Sequence, residues 1–282
     1  MENNRSPFTA ACVQMRSGID VAANMEAASA LINEAAAAGA SFIVTPEMTN
    51  VLDQDPKRLF SHLEVEEKTA EIAVFSALAL RHKVWLLVGS MAIRVGERMA
   101  ANRAFLFSPT GNIAARYDKI HMFDVVLPDG ESWRESQLYQ AGSRAIIVNS
   151  SLGKIGLTIC YDLRFPSLYR ALGQEGADMI CVPAAFTKQT GEAHWEPLLR
   201  ARAIENGAFI VAAGQGGHHE DGRDTYGHSM IVGPWGQILA ASDGNDPGVI
   251  LAEIDPNQVK RARAAIPNLA LESGYKVVSV SE

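Results

Sequence analysis

The sequence predicts an α/β protein whose helices cover a largely buried sheet. Short apolar runs rich in β-branched residues alternate with segments whose apolar positions recur at helical spacing. The later strands follow one another more closely, so a mixed sheet or two sheets are expected. The 282 residues are 48% hydrophobic and 20% charged, enough for one large core, and no linker, low-complexity tract or repeat divides them. Residues 1–282 therefore read as a single domain.

Taken in order, residues 8–14 (Phe-Thr-Ala-Ala-Cys-Val-Gln) read as a first buried strand. Residues 21–39 are alanine-rich, with Met25, Ala28, Leu31 and Ile32 at helical spacing, and Gly39 closes the helix. A strand at 41–45 leads to Pro46 and Glu47, 64–82 is helical, and 84–90 is a strand. Residues 103–108 and 113–119 form a hairpin around Pro109-Thr110-Gly111-Asn112, with Lys119 at the end of its second arm. A loop holding Pro128-Asp129-Gly130 precedes strands at 145–149 and 154–160. Pro166 opens a helix near 165–175, and a strand at 177–182 follows. A helix over 193–206 leads to a strand at 208–213, and two strands flank Gly233-Pro234-Trp235-Gly236. A strand at 248–254 and a helix at 256–265 complete the pattern.

Lys plus Arg number 25 and Asp plus Glu 32, giving a net charge of −7 with no basic run, which argues against a nucleic-acid partner. No apolar run reaches membrane-spanning length, and Met1–Ser6 lacks the charged start and apolar core of a signal peptide, so the expectation is a cytoplasmic protein without a membrane segment. Three cysteines without Cys-x-x-Cys spacing fit neither a disulfide framework nor a zinc site. Cys12 and Cys181 lie inside strand-like runs and read as core.

Cys160 is different. It ends an apolar run, and Tyr161, Asp162 and Arg164 follow it at a strand-to-helix turn, where α/β sheets bind ligands. A buried small hydrophobe is the plainer reading of a free cysteine, but this polar turn argues against it. Glu47 and Lys119 also stand at carboxyl ends of strand-like runs, so all three could meet on one rim. A thiol needs a base, and Glu47, expected to be partly desolvated among apolar neighbours, would have its proton affinity raised to suit. Lys119 would supply positive charge to a thiolate and an oxyanion. Taken singly, a surface turn for Glu47 and a solvated hairpin end for Lys119 are the simpler readings.

Four stretches in order carry a likeness over essentially the whole chain: Thr45-Pro46-Glu47-Met48-Thr49-Asn50, the run from Tyr117 to Asp124, Arg134-Glu135-Ser136, and the run from Gly156 to Pro166. Together with Pro183-Ala184-Ala185-Phe186-Thr187 and the run from Tyr226 to Gly236, they resemble the nitrilase superfamily of carbon–nitrogen hydrolases, nearest its deaminated glutathione amidase and omega-amidase branch. The resemblance implies a four-layer α-β-β-α sandwich, a Glu47-Lys119-Cys160 catalytic set, Glu135 as a second glutamate, and pairing into a homodimer or larger homo-oligomer. The implied reaction hydrolyses a small carboxamide, such as deaminated glutathione or a similar 2-oxo acid amide, to acid and ammonia through a Cys160 thioester. The Tyr161 backbone N–H would share the oxyanion with Lys119, and no metal or organic cofactor is required.

For Arg164 two readings stand: a forked donor for a substrate carboxylate, with Thr190 as a second anchor implied by the resemblance, or an ion pair with Asp162 or another acid. His218 and His219 on a glycine-rich loop read as a solvated turn or as lining of the substrate entrance, not as a metal site. His194, Trp195 and His228 either face the pocket or pack beneath it. Within the enzyme class, a nitrilase, an N-carbamoyl amino acid amidohydrolase or an omega-amidase acting on 2-oxoglutaramate would use the same three side chains. A catalytically silent scaffold is the rival from another class. After Ile266-Pro267 the chain reads Asn268-Leu269 where relatives tend to carry an arginine pair, a departure that bears on assembly more than on chemistry.

Overall fold

A computed structural model describes residues 5–127, 130 and 132–280. Pro128 and Asp129 of the expected loop lie outside the described residues. In chain order the first elements are β1 (Phe8–Gln14), α1 (Val21–Ala37), β2 (Phe42–Val44), α2 (Pro56–His62), α3 (Ala70–His82), β3 (Trp85–Arg94), β4 (Ala100–Phe107) and β5 (Ile113–Asp118). Next come β6 (Asp124–Val126), β7 (Ser132–Arg134), β8 (Ile146–Ser150), β9 (Gly153–Leu157), α4 (Pro166–Gln174), β10 (Met179–Cys181), α5 (Lys188–Asn206) and β11 (Phe209–Ala212). The last are β12 (Gly216–His218), β13 (Asp224–Tyr226), β14 (Met230–Val232), β15 (Ile238–Ala241), β16 (Gly248–Ile254) and α6 (Asn257–Ala265).

Period-two alternation sorts β1 between two cores. Phe8, Ala10 and Cys12 point into a core shared with β9, β10 and β11, whereas Ala11 and Val13 point toward Ala28 and Ile32 of α1 and Phe75 of α3. Two six-stranded mixed sheets thus stack face to face, ordered β16-β1-β2-β3-β4-β5 and β8-β9-β10-β11-β14-β15. Helices α1 and α3 cover the first, while α4 and α5 pack over the second, giving the expected α-β-β-α layers. In each sheet the second, third and fourth strands run parallel and the remaining pairs antiparallel. The two sheets therefore repeat one pattern of strand directions, although the strand beside β1 is the chain's last, β16, and that beside β9 is its predecessor, β8.

Several boundaries differ from the sequence reading. The strand expected to run to residue 160 ends at Leu157, because Cys160–Arg164 turns into a 3₁₀ helix. Residues 64–82 split into a 3₁₀ turn and α3, since Thr69 is extended (φ −73°, ψ 101°). Helix α5 starts five residues before 193, after extended Thr187, which leaves Pro197 within it. Helix α2, capped by Asp55 with Pro56 in its first turn, fills a stretch the sequence reading leaves unassigned, and the segments expected as loops around residues 128–130 and 214–219 contribute the hairpins β6–β7 and β12–β13.

Candidate active site

Each candidate side chain is delivered by the end of a strand. Glu47 follows β2, Lys119 follows β5, Glu135 follows β7 and Cys160 follows β9, and all four line one cavity of about 400 Å³. Lys119 is 2% exposed and Glu47 4% exposed, so charge here must be satisfied by protein. The Lys119 Nζ donates to Glu47 Oε1 at 2.9 Å and to Glu135 at 3.0 and 2.8 Å. Asn102 Nδ2, from the middle of β4, donates to Glu47 Oε1 at 2.8 Å and to Glu135 Oε1 at 3.1 Å. The Ala185 N–H reaches Glu47 Oε2 at 2.8 Å, and the Phe123 N–H reaches Glu135 Oε2 at 2.7 Å.

The electrostatics run opposite to one expectation. Burial by itself would raise the Glu47 carboxyl, but the Lys119 ammonium and hydrogen bonds from Lys119, Cys160 and Asn102 hold it below the ordinary glutamate range. Lys119 stays well above its ordinary value: burial opposes its charge, and Glu135 and Glu47 outweigh burial. The Cys160 thiol is pushed well up, first by burial and then by Glu47, against the opposing pull of Lys119. The resting site therefore holds a protonated thiol and an ionised carboxylate in one cavity.

Cys160 has φ 48° and, across the cavity, Met48 has φ 55°, a left-handed backbone that costs an L-residue about 1–3 kcal/mol. The turn is held despite that cost. The Cys160 N–H donates to the Pro183 carbonyl at 2.9 Å, and buried Asp162 accepts from the Ile159 N–H at 2.9 Å. Asp162 also takes the Tyr117 hydroxyl at 2.6 Å and the His121 Nδ1 at 2.7 Å, which ties the cysteine turn to the strand end that carries Lys119. Burial and the neighbouring Asp162 push the Tyr117 hydroxyl up, so it serves as a donor. Tyr161 begins the 3₁₀ turn beside Cys160 and lines the cavity, its ring edge-on to Phe123 and Phe165.

Asp162 is thus spoken for, and the proposed Arg164–Asp162 pair does not form. Among the described residues Arg164 has no carboxylate partner. It lines the cavity with its guanidinium 5.2 Å from the Phe186 ring centroid and 3.3 Å from His194 Nδ1, and burial lowers its pKa. Thr190 lines the same wall and shares a 2.9 Å hydroxyl contact with Thr187. The two loop histidines do not line the cavity, although Arg223, Asp224 and Thr225 of the same segment do. His219 is buried between the Ser17 carbonyl and the Thr225 hydroxyl, and His218, itself outside the cavity, pairs with Asp224 of its lining. Trp195 packs beneath the pocket, its Nε1 donating to the His228 carbonyl, and His228 stacks on Tyr226. No group of three potential metal ligands occurs among the described residues.

Sequence reasoning missed Asn102, the Ala185 N–H and Arg223, whose guanidinium lies 5.2 Å from the Trp133 ring centroid at the cavity wall. Only Asn102 left a signal, as a polar residue inside the apolar run from Ala100 to Phe107.

The family model described as Carbon-nitrogen hydrolase matches residues 9–264. The chain belongs to the carbon–nitrogen hydrolase family. This carbon–nitrogen hydrolase is 41% identical over 267 residues to a protein of Synechocystis named deaminated glutathione amidase, covering 93% of this chain and 97% of the relative. It is 38% identical over 267 residues to the human protein of that name, covering 93% and 80% respectively. The crystal structure of the C. elegans NitFhit protein superposes with a TM-score of 0.87 at 32% identity, covering 95% of this chain and 65% of that one. The fold and the relatives identify a hydrolase of carbon–nitrogen bonds with amidase function.

Proposed function

We propose that this hydrolase cleaves a small 2-oxo acid amide, of which deaminated glutathione is the first choice, through a thioester on Cys160. One observation carries the reading: Glu47 shares one cavity with Cys160 while Lys119, Asn102 and the Ala185 N–H hold it ionised at the cavity floor. Glu47 takes the thiol proton as sulfur attacks the carbonyl carbon. Lys119 and the Tyr161 N–H hold the oxyanion, Glu135 keeps Lys119 charged, and the C–N bond breaks as Glu47 returns the proton to the leaving amine. Glu47 then deprotonates the water that cleaves the thioester. Arg164, lacking an acidic partner among the described residues, takes the substrate carboxylate with Thr190 beside it.

The name shared by the relatives supports the substrate. Its chemistry also amends the expected product, because the amides of deaminated glutathione are secondary and release an amine in place of ammonia. A primary amide such as 2-oxoglutaramate releases ammonia. The test is turnover, read as both amine and ammonia, on deaminated glutathione, 2-oxoglutaramate, an N-carbamoyl amino acid and a simple nitrile. The fastest kcat/KM is expected on the first, and a faster rate on either of the last two overturns the substrate reading.

Self-association is part of the same proposal. Tyr275, Val277 and Val280 are 87–91% exposed in a tail that a second copy would cover, and native mass measurement should return at least a dimer. No described helix is long and apolar enough to cross a membrane, and the three unpaired thiols suit the reducing cytoplasm.

A further inference from the structure

Asn102 is fully buried in the middle of β4 and touches neither cavity nor solvent, yet its amide meets both carboxylates of the site. A buried asparagine in a strand is costly unless its donors are used. Here one amide hydrogen goes to Glu47 Oε1 at 2.8 Å and the other to Glu135 Oε1 at 3.1 Å, the same two oxygens that Lys119 Nζ contacts at 2.9 and 3.0 Å. Two donors and two acceptors close a four-membered ring. The opposite amide orientation would aim Oδ1 at two carboxylates, so charge fixes which way the amide points. The Asn102 backbone carbonyl also accepts the Lys119 backbone N–H at 3.0 Å, so one residue holds the lysine backbone and both of its counter-charges.

Both in-plane lone pairs of Glu47 Oε1 are consumed in this ring. Among the described residues Oε2 receives the Ala185 N–H, at 2.8 Å, and so retains one lone pair.

We infer that Asn102 is a positioning residue for the acid–base step: with Lys119 it occupies Glu47 Oε1, leaving Oε2 to take the Cys160 proton and hand it to the leaving amine. The inference rests on the amidase reading above. The sulfur–proton bond breaks, the Oε2–proton bond forms, and the same proton later leaves on the amine nitrogen, so no other reactant is needed. The groups that face Glu47 are Lys119 from the end of β5, Cys160 from the turn after β9, Glu135 from the turn after β7, and, further off, buried Tyr139. Lys119 remains when Asn102 is replaced, so the effect should be graded and not total.

The experiment compares Asn102→Leu and the isosteric Asn102→Asp with the unaltered enzyme and with Cys160→Ala. Loss of one charge-assisted hydrogen bond should lower kcat about 10- to 100-fold with KM changed less than about threefold. The acid limb of kcat/KM and the acid limb of Cys160 alkylation by iodoacetamide should both move up by about one pH unit in Asn102→Leu. Alkylation needs no turnover, and it still reads the acid–base pair if a variant is slow. Asn102→Asp, which preserves shape, should fold like the parent and also lose kcat. If a folded Asn102→Leu or Asn102→Asp keeps the parental kcat and acid limb while Cys160→Ala is inert, the inference falls and the amidase reading stands. If Cys160→Ala turns over normally, the amidase reading itself falls.

Discussion

The two stacked sheets repeat one pattern of strand directions but not one set of residues. In the first, Cys12, Val44 and Leu87 lie side by side on β1, β2 and β3; in the second, Leu157, Cys181 and Val211 do so on β9, β10 and β11. Three residues further along, the first sheet places Met15 and Glu47 where the second places Cys160 and Ala184. Even the prolines correspond, Pro46 after β2 and Pro183 after β10. The architecture thus presents two equivalent pairs of strand ends, and Glu47, the proposed acid–base, comes from one pair while Cys160, the proposed nucleophile, comes from the other. They meet because the loops cross over. The Ala185 N–H of the second sheet holds Glu47 Oε2, and Gln215 Nε2, after β11, donates to the Glu47 carbonyl at 3.0 Å.

The sharpest way to break the comparison is to exchange its equivalent positions for alanine. Cys160→Ala should lower turnover by at least about 10⁴-fold with stability within about 1 kcal/mol of the parent. Met15→Ala, at a core position only 1% exposed, should instead cost about 2–5 kcal/mol in denaturant titration and leave kcat near normal in the folded fraction. Equal catalytic losses would mean that the two strand ends are not functionally distinct.

Gly89 has no room for a side chain between the two proline turns, since a Cβ there would stand 2.1 Å from the Thr45 carbonyl and 2.4 Å from Pro183 Cβ. Gly89→Ala should therefore cost about 3 kcal/mol and also depress kcat, because both proline turns must shift. A smaller effect is expected at the cavity wall. Arg164→Lys, which keeps charge but loses the fork, should raise KM about 10-fold for carboxylate-bearing amides and leave neutral amides nearly unchanged. An equal rise for both would assign Arg164 to loop structure.

The last prediction concerns pH. The folded Glu47 carboxyl lies below its ordinary value of 4.5, so the ionised base and the stability it contributes are fully present above that value and are lost only as pH falls through the lowered folded value. The acid limb of kcat/KM should accordingly lie below pH 4.5, with the thiol and Lys119 keeping their protons well into the alkaline range.

Much of this was legible because strand ends are legible. Apolar runs stopping at Glu47, Lys119 and Cys160 told where the chemistry-bearing side chains would emerge, and the alternation of helices and strands told the fold class. The sense of the Glu47 shift was misread because burial is visible in a sequence and a lysine 72 positions away, donating at 2.9 Å, is not. Asn102 belongs to β4, and its role depends on register across the β4–β5 ladder. The Ala185 contribution is a backbone N–H, which no residue type advertises. The 3₁₀ turn that gives Cys160 its positive φ is likewise set by Asp162 bonding across to Tyr117 and His121, not by local propensity. The sheet repeat stayed hidden because it is written in strand directions and not in residues.

The central claim is that carbon from the substrate becomes bonded to one sulfur during each cycle. Rapid acid quench of the enzyme turning over deaminated glutathione, followed by mass measurement of its peptides, should find the 2-oxo acyl group on the peptide containing Cys160 and nowhere else. Steady turnover with that peptide unmodified at every time point, or with the acyl group on Cys12 or Cys181, would contradict it.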